Sequence, residues 1–269
     1  MRRPADQGLI PPPPTRSLVQ RAPDLLVWGG VILLLLIGFG PVDMAHLPRL
    51  FANSDNMRQF GAEFMRPDFA NLKLYIAQMW LTVQIAMWGT TLAVVVAIPF
   101  GLACSRNVSP VWLQQPMRLL MNLIRSVPDL VLGTLFLVAV GLGPFAGVMA
   151  LAINTGGVLA KLFSEAVESI DKGPVEGVRA TGATKLQEVV WGVIPQVAPL
   201  WTSYALYRFE SNSRSATVLG LIGAGGIGQL LFDSMNAFAY HKLSAIVIVI
   251  IVAVSLIDLL SQAMRSRLL

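Results

Sequence analysis

Hydrophobic positions along this chain come in long unbroken blocks, not in the alternation of half-buried strands. Leu25 to Val42 is 18 residues without a charge, close to the ~20 that a ~30 Å hydrocarbon core requires. Residues 25–42 are therefore predicted as a first transmembrane helix, and it is read as uncleaved because no small-residue cleavage site follows the block. A second block runs from about Ala77 to Ala103, with Pro99 near one end. From Val127 to Phe163 the chain stays apolar for 37 residues, too long for one span. The stretch GLGPFAG at Gly141 to Gly147 supplies a break in the middle. Spans are placed at about 77–103, 118–141, 143–163, 195–221 and 243–264, six with the first. The fold class this predicts is an all-α polytopic membrane protein.

The polar segments between the blocks set an expected orientation. Residues 1–24 carry Arg2, Arg3, Arg16 and Arg21 around the run Pro11 to Pro14, which favours an extended polyproline conformation, and they are read as a cytoplasmic N-terminal tail. Residues 43–76 are read as a periplasmic loop, because Asp43, Asp55, Glu63 and Asp68 balance Arg49, Arg58, Arg66 and Lys73. This layout puts 13 of the 20 Lys and Arg residues inside, five outside and two within spans. The positive-inside rule then expects both termini in the cytoplasm.

Composition narrows the function classes. With 269 residues, 55% hydrophobic and 13% charged, and a mean hydropathy of +0.65, the chain has too little polar surface for a soluble globule of its size. Its net charge of +5 does not point to nucleic acid, since the basic residues stand at the ends of apolar runs and not on one face. Cys104 is the sole cysteine, and His46 and His241 are the sole histidines, far apart in sequence, so no metal site is expected. No nucleophile elbow or phosphate-binding loop is present, and no catalytic residues are predicted. Gly223-x-Gly225-x-x-Gly228 matches the dinucleotide fingerprint in letters only. The acidic residue expected ~20 positions later is absent, and Ile248 stands there. These glycines are read as a close helix contact or an unwound turn.

One charged segment, Glu165 to Val190, interrupts the apolar blocks on the expected cytoplasmic side. Within it Glu176 stands six residues before Gly182 and Pro195 thirteen beyond, a frame of E-G-V-x-x-x-G-A with I-P at its far end. This resembles the EAA loop of type I ABC importer permeases, with Gly177 and Val178 in place of two alanines and Gly192 where an isoleucine is common. RSVPDLVL at Arg125 to Leu132, VGLGPFAGVMAL at Val140 to Leu151 and YRFESNSRSATVLGLIGAGGIG at Tyr207 to Gly228 extend the resemblance to phosphonate importer permeases, over roughly Trp80 to Leu260. The resemblance implies that 165–190 is a coupling loop within a transmembrane domain spanning 77–265. Its short helix, with Glu176, Gly177, Arg179, Gly182 and Ala183, would sit in a groove of the ATPase subunit. An amphipathic loop lying on lipid, with Lys172, Arg179 and Lys185 facing headgroups, is the alternative.

Charges also stand inside the fifth block, where Arg208, Glu210, Asn212 and Arg214 interrupt apolar sequence. Each ionised group at the bilayer centre costs ~2.5–3.5 kcal/mol on insertion scales. Helical spacing pairs Arg208 with Asn212 and Glu210 with Arg214, and a rise of 1.5 Å per residue from Pro195 puts Arg208 and Arg214 ~20 and ~28 Å from the inner end. They either line a route for an anion or form a static network, and Asn154 with Thr155 could line the same route. Arg125 and Asp129 flank Pro128 and are expected to pair locally or to act as a gate.

The resemblance implies the permease subunit of an ATP-driven importer in the bacterial inner membrane, multi-pass and homodimeric, carrying phosphonate or a related phosphorus oxyanion. It further implies two ATP-binding subunits that hold the ATP and Mg, a periplasmic or lipid-anchored phosphonate-binding protein, and no cofactor bound by this chain. The alternatives are a permease for another small solute such as methionine, and an integral membrane enzyme acting on phospholipids.

Overall fold

The computed structural model describes residues 18–49 and 54–267, with side chains from 23 to 49 and 55 to 267. Residues 1–17 of the expected N-terminal tail, and 50–53 of the expected loop, lie outside the described residues. The chain divides into two compact units, Met1–Gln59 and Phe60–Leu269.

In the first unit, helix α1 (Leu18–Phe39) begins inside the expected tail and ends before Val42. Pro41 cannot donate a helical hydrogen bond, and Asp43, at φ 54°, starts a 3-10 turn, Met44–His46. The apolar part of α1, Pro23–Phe39, is 17 residues long, and its large side chains are exposed on every face, from Val31 at 40% to Leu26 at 76%. A helix apolar all round has no face suited to water. The segment expected to be a loop contains helix α2 (Ser54–Phe64), which continues into the second unit.

The second unit is helical throughout its described residues: α3 (Leu72–Cys104), α4 (Val111–Ser126), α5 (Asp129–Val140), α6 (Pro144–Glu168), α7 (Lys172–Ala180), α8 (Lys185–Gln187), α9 (Ile194–Leu219), α10 (Ile227–Asn236) and α11 (Tyr240–Arg265). Of these, α3, α6 and α11 are each long and apolar enough to cross a hydrocarbon core. Two bent pairs, α4 with α5 at 87° and the Lys185–Ala224 stretch with α10 at 58°, reach that length and hydropathy only when each pair is taken together.

The span expected over 118–141 is sharply bent between α4 and α5. The cause is Pro128, which pushes the preceding residue out of the helical region, and Val127 is accordingly extended at φ −84°, ψ 123°. The break after α5 falls where GLGPFAG placed it, with Gly141 at φ 90° and Gly143 at φ 142°. α6 is the most buried element, with Ala146, Gly147, Ala150, Gly156, Gly157 and Ala160 among its buried residues. Small residues let neighbouring backbones close in where packing, not water exclusion, drives association. A Cβ on Gly89 of α3 would lie 2.8 Å from Leu151 Cβ, and one on Gly157 would lie 3.2 Å from the Met121 carbonyl of α4. Phe163 of α6 stacks on Trp201 of α9 at 4.6 Å.

The glycine-rich stretch after α9 is a π turn, Gly220–Ala224, followed by Gly225 and Gly226 at φ 77° and 76°. It is an unwound turn with a close crossing, as read from the sequence. A Cβ on Gly228 would overlap the Thr217 carbonyl oxygen, and Ile227 N donates to Thr82 Oγ1 at 2.9 Å.

Candidate functional site

Within 165–190 the first four residues still belong to α6, and the independent element is α7. Asp171 caps it, accepting from Gly173 N at 3.0 Å, and Gly182 at φ 82° ends it, with its N–H donating to the Arg179 carbonyl at 3.0 Å. A left-handed glycine after the last turn is the usual helix stop. Thr184 and Gln187 then form a capping box that starts α8.

α7 is fixed to the π turn Glu188–Val193 and to the first turn of α9 by three devices. Glu188, 8% exposed at its side chain, accepts from Arg179 Nε and Nη2, both at 3.0 Å, and from Lys185 Nζ at 3.1 Å. These donors, Arg179 before Lys185, hold its carboxyl down at about 2. Gln196 of α9 accepts from Asp171 N at 3.1 Å and donates to the Asp171 carbonyl at 3.2 Å. A Cβ on Gly192 would stand 3.1 Å from Val175 Cα, which explains a glycine where isoleucine is common: α7 lies directly on this turn.

The outward side of the same segment exposes Glu176 and Gly177, Leu186 at 73% and Trp191 at 70%. A Cβ on Gly177 would meet nothing within 4 Å. A cleft of about 530 Å³ is lined by Val178, Gly182, Ala183, Gln187 and Trp191. Of the five residues singled out from sequence, Arg179 is engaged by Glu188 as an anchor although its side chain stays 55% exposed, while Glu176, Gly177, Gly182 and Ala183 remain on the open side. Glu188 was missed, because its arginine partner stands nine positions away and no helical spacing links them.

The charges in α9 separate into two sets. Glu210 accepts from Arg214 Nη2 and from Arg265 Nη2 of α11, both at 3.1 Å, while Arg214 Nη1 lies 3.2 Å from Asp258 Oδ1. The predicted Glu210–Arg214 pair is present, enlarged by two α11 residues that the sequence reading did not connect to it. With Ser261 Oγ donating to the Leu206 carbonyl at 3.3 Å, the set stands level with the last two turns of α11, about 10 Å or less from Arg265 along that helix. Helical structure starts before Pro195, at Lys185.

Arg208 stands apart from this set. Its Nη2 donates to Thr155 Oγ1 at 3.2 Å and to Asn212 Oδ1 at 3.5 Å, and its buried Nε has no partner. Asn212, fully buried, accepts from Thr155 Oγ1 and donates to Thr90 Oγ1, each at 2.9 Å. The Arg208–Asn212 pairing predicted by spacing is present, and Thr155 joins it.

The expected Arg125–Asp129 ion pair is absent. Four-residue spacing brings side chains together only on one continuous helix, and the corner at Pro128 lies between them. Asp129 accepts from Ser215 Oγ of α9 at 3.0 Å, and Arg125 lines a polar cleft of about 300 Å³ with Arg118, Lys161 and Glu168. Asn154 donates to the Val127 carbonyl at 2.9 Å, so it holds the corner and does not join the Arg208 group.

Comparison with known proteins gives the family and the fold. The family model described as "Binding-protein-dependent transport system inner membrane component" matches residues 97–268. A "Phosphite transport system permease protein" of Stutzerimonas stutzeri is 38% identical over 88% of this chain and 86% of its own length. A "Putative cryptic phosphonate transport system permease protein" of Escherichia coli strain K12 is 59% identical over 44% of this chain and 98% of its own length. Among solved structures, the MetNI methionine ABC transporter in an inward-facing conformation superposes with a TM-score of 0.65 at 21% identity, over 75% of this chain and 99% of that one. This is the type I ABC importer permease fold. The chain belongs to the family of inner-membrane components of binding-protein-dependent transport systems.

Proposed function

We propose that this chain is the membrane permease subunit of an ATP-driven importer for phosphorus oxyanions, and that α7 is the surface through which a separate ATPase subunit drives it. The observation that carries the coupling role is the clamp on α7. The bidentate Arg179–Glu188 contact, the Gln196 hydrogen bonds to Asp171 and the Gly192–Val175 approach join the short helix to α9 without a flexible hinge. A push on the exposed Glu176 side is then delivered to the helix that also carries Arg208. From Ile194 to Arg208 that helix measures about 20 Å at 1.5 Å per residue.

In this reading α7, the C-terminal Arg265 and Arg267, and the N-terminal tail are cytoplasmic, and the 43–76 segment faces the binding protein. The assembly comprises two copies of this chain, two ATPase subunits that hold ATP and Mg, and a phosphonate-type binding protein outside. ATP binding draws the ATPase subunits together, the two α7 helices move with them, and the spans turn outward to accept cargo. The phosphorus cargo is supported by relatives named as phosphite and phosphonate permeases. A methionine import permease of Bacillus subtilis is 29% identical over 54% of this chain, below the 38% and 59% of the relatives named for phosphorus anions. The phospholipid-enzyme alternative loses support because Glu210, its required base, is committed to Arg214 and Arg265.

The test is Glu188→Gln in the reconstituted complex. The neutral amide keeps the shape and removes the charge from three hydrogen bonds, so ATP hydrolysis is expected to continue while anion imported per ATP falls severalfold. An unchanged ratio would remove the coupling role from this anchor.

A further inference from the structure

We propose that Arg208 is an oxyanion station on the transport route, with Thr155, Asn212 and Thr90 as the residues that position its guanidinium. The inference rests on the phosphorus-oxyanion reading of the cargo and names the group in this chain that meets it. In the α9 cluster, Glu210, Arg214, Asp258 and Arg265 neutralise one another. Arg208 has no carboxylate within ion-pairing distance among the described residues. Asp129, a carboxylate whose field reaches it, is engaged by Ser215.

What holds Arg208 is neutral and comes from three helices. Thr155 of α6 and Asn212 of α9 accept from a single nitrogen, Nη2, and Asn212 is itself fixed by Thr155 on one side and by Thr90 of α3 on the other. Thr90 is tied in turn to the Ala86 carbonyl at 2.7 Å. The charge is thus aimed without being cancelled, and Nε is left with an unmet hydrogen bond. A cation kept only to stabilise a span would be cheaper beside a carboxylate, as its neighbour Arg214 is. The spare N–H donors of a guanidinium match two oxygens of a tetrahedral oxyanion at once. Phosphite, phosphonates and phosphate share that chemistry.

The experiment uses the complete complex, with its ATPase subunits and binding protein, in vesicles, and follows import of phosphite and methylphosphonate per ATP hydrolysed. A purely structural role for Arg208 would lower import and hydrolysis together and leave that ratio in place. A station predicts that Arg208→Gln lowers the ratio about tenfold or more, the scale of a lost charge-assisted hydrogen bond. Arg208→Lys should retain more of it than Arg208→Gln does. Thr155→Val, which keeps side-chain shape and removes the hydroxyl, should lower it about two- to tenfold. If Arg208→Gln fails to assemble, Thr155→Val decides alone. Ratios within about twofold of wild type, again on the scale of a single hydrogen bond, overturn the proposal. A wild-type complex that hydrolyses ATP and imports neither anion overturns the cargo reading, and the station with it.

Discussion

Glu188, Gly182 and Gly228 are held by three different forces, and each responds differently to change. Donors from Arg179 and Lys185 depress the Glu188 carboxyl to about 2. A depressed carboxylate contributes stability that is fully present above its unfolded value of ~4.3 and lost as pH falls through the folded value. The α7 clamp should therefore hold unchanged from pH 8 to about 5 and open between about 4.5 and 2, as hydrogen exchange of the 172–190 backbone would report. Gly182 is required by conformation alone, since a Cβ there would meet nothing within 4 Å but φ is 82°, a value glycine adopts without strain. Gly182→Ala should cost about 1–2 kcal/mol locally, visible as fraying of α7 with the complex still assembled. Gly228 is a matter of space: its Cβ would overlap the Thr217 carbonyl, so Gly228→Ala should sharply reduce recoverable folded protein in a detergent thermal-stability assay. Glu176, Gly177, Gly182 and Ala183 were legible because their signature is local. Glu188, Asp258 and Arg265 were not, because the charged group each meets on another element lies nine to 55 positions away and only packing joins them.

At the level of elements, block length located the apolar segments and said little about their path. α3, α6 and α11 stand close to the expected blocks. The block over 118–141 instead turns an 87° corner, because a window of hydropathy is blind to the extended residue that Pro128 imposes. Pro128 was visible in the sequence. What was not visible is that Asn154 of α6 stands opposite the corner and takes up the Val127 carbonyl, which the turn leaves without a helical donor. Asn154→Leu keeps the volume and removes that donor, leaving a partly buried carbonyl unpaired at about 1–3 kcal/mol. The expected outcome is a lower midpoint of thermal unfolding, with ATPase coupling through α7 intact. The turn after α9 was read correctly as unwound because its glycines are dense, and the positive φ angles at Gly223, Gly225 and Gly226 are ones that other residues rarely adopt.

Across the whole molecule, one helix connects the proposed coupling surface to the proposed cargo site. α9 starts directly after the Glu188–Val193 turn that carries the clamp on α7 and continues past the Arg208 group. The family model matched over 97–268 makes the chain an inner-membrane transport component, and the relatives named as phosphite and phosphonate permeases support the proposed cargo. The most direct measurement is ATP-dependent import by the reconstituted complex of this chain, its ATPase subunits and its binding protein, offered phosphite, methylphosphonate and methionine in turn. The account predicts import of the two phosphorus anions and not of methionine, with import per ATP falling severalfold in Glu188→Gln. Import of methionine alone, or anion uptake that proceeds without ATP, would contradict it.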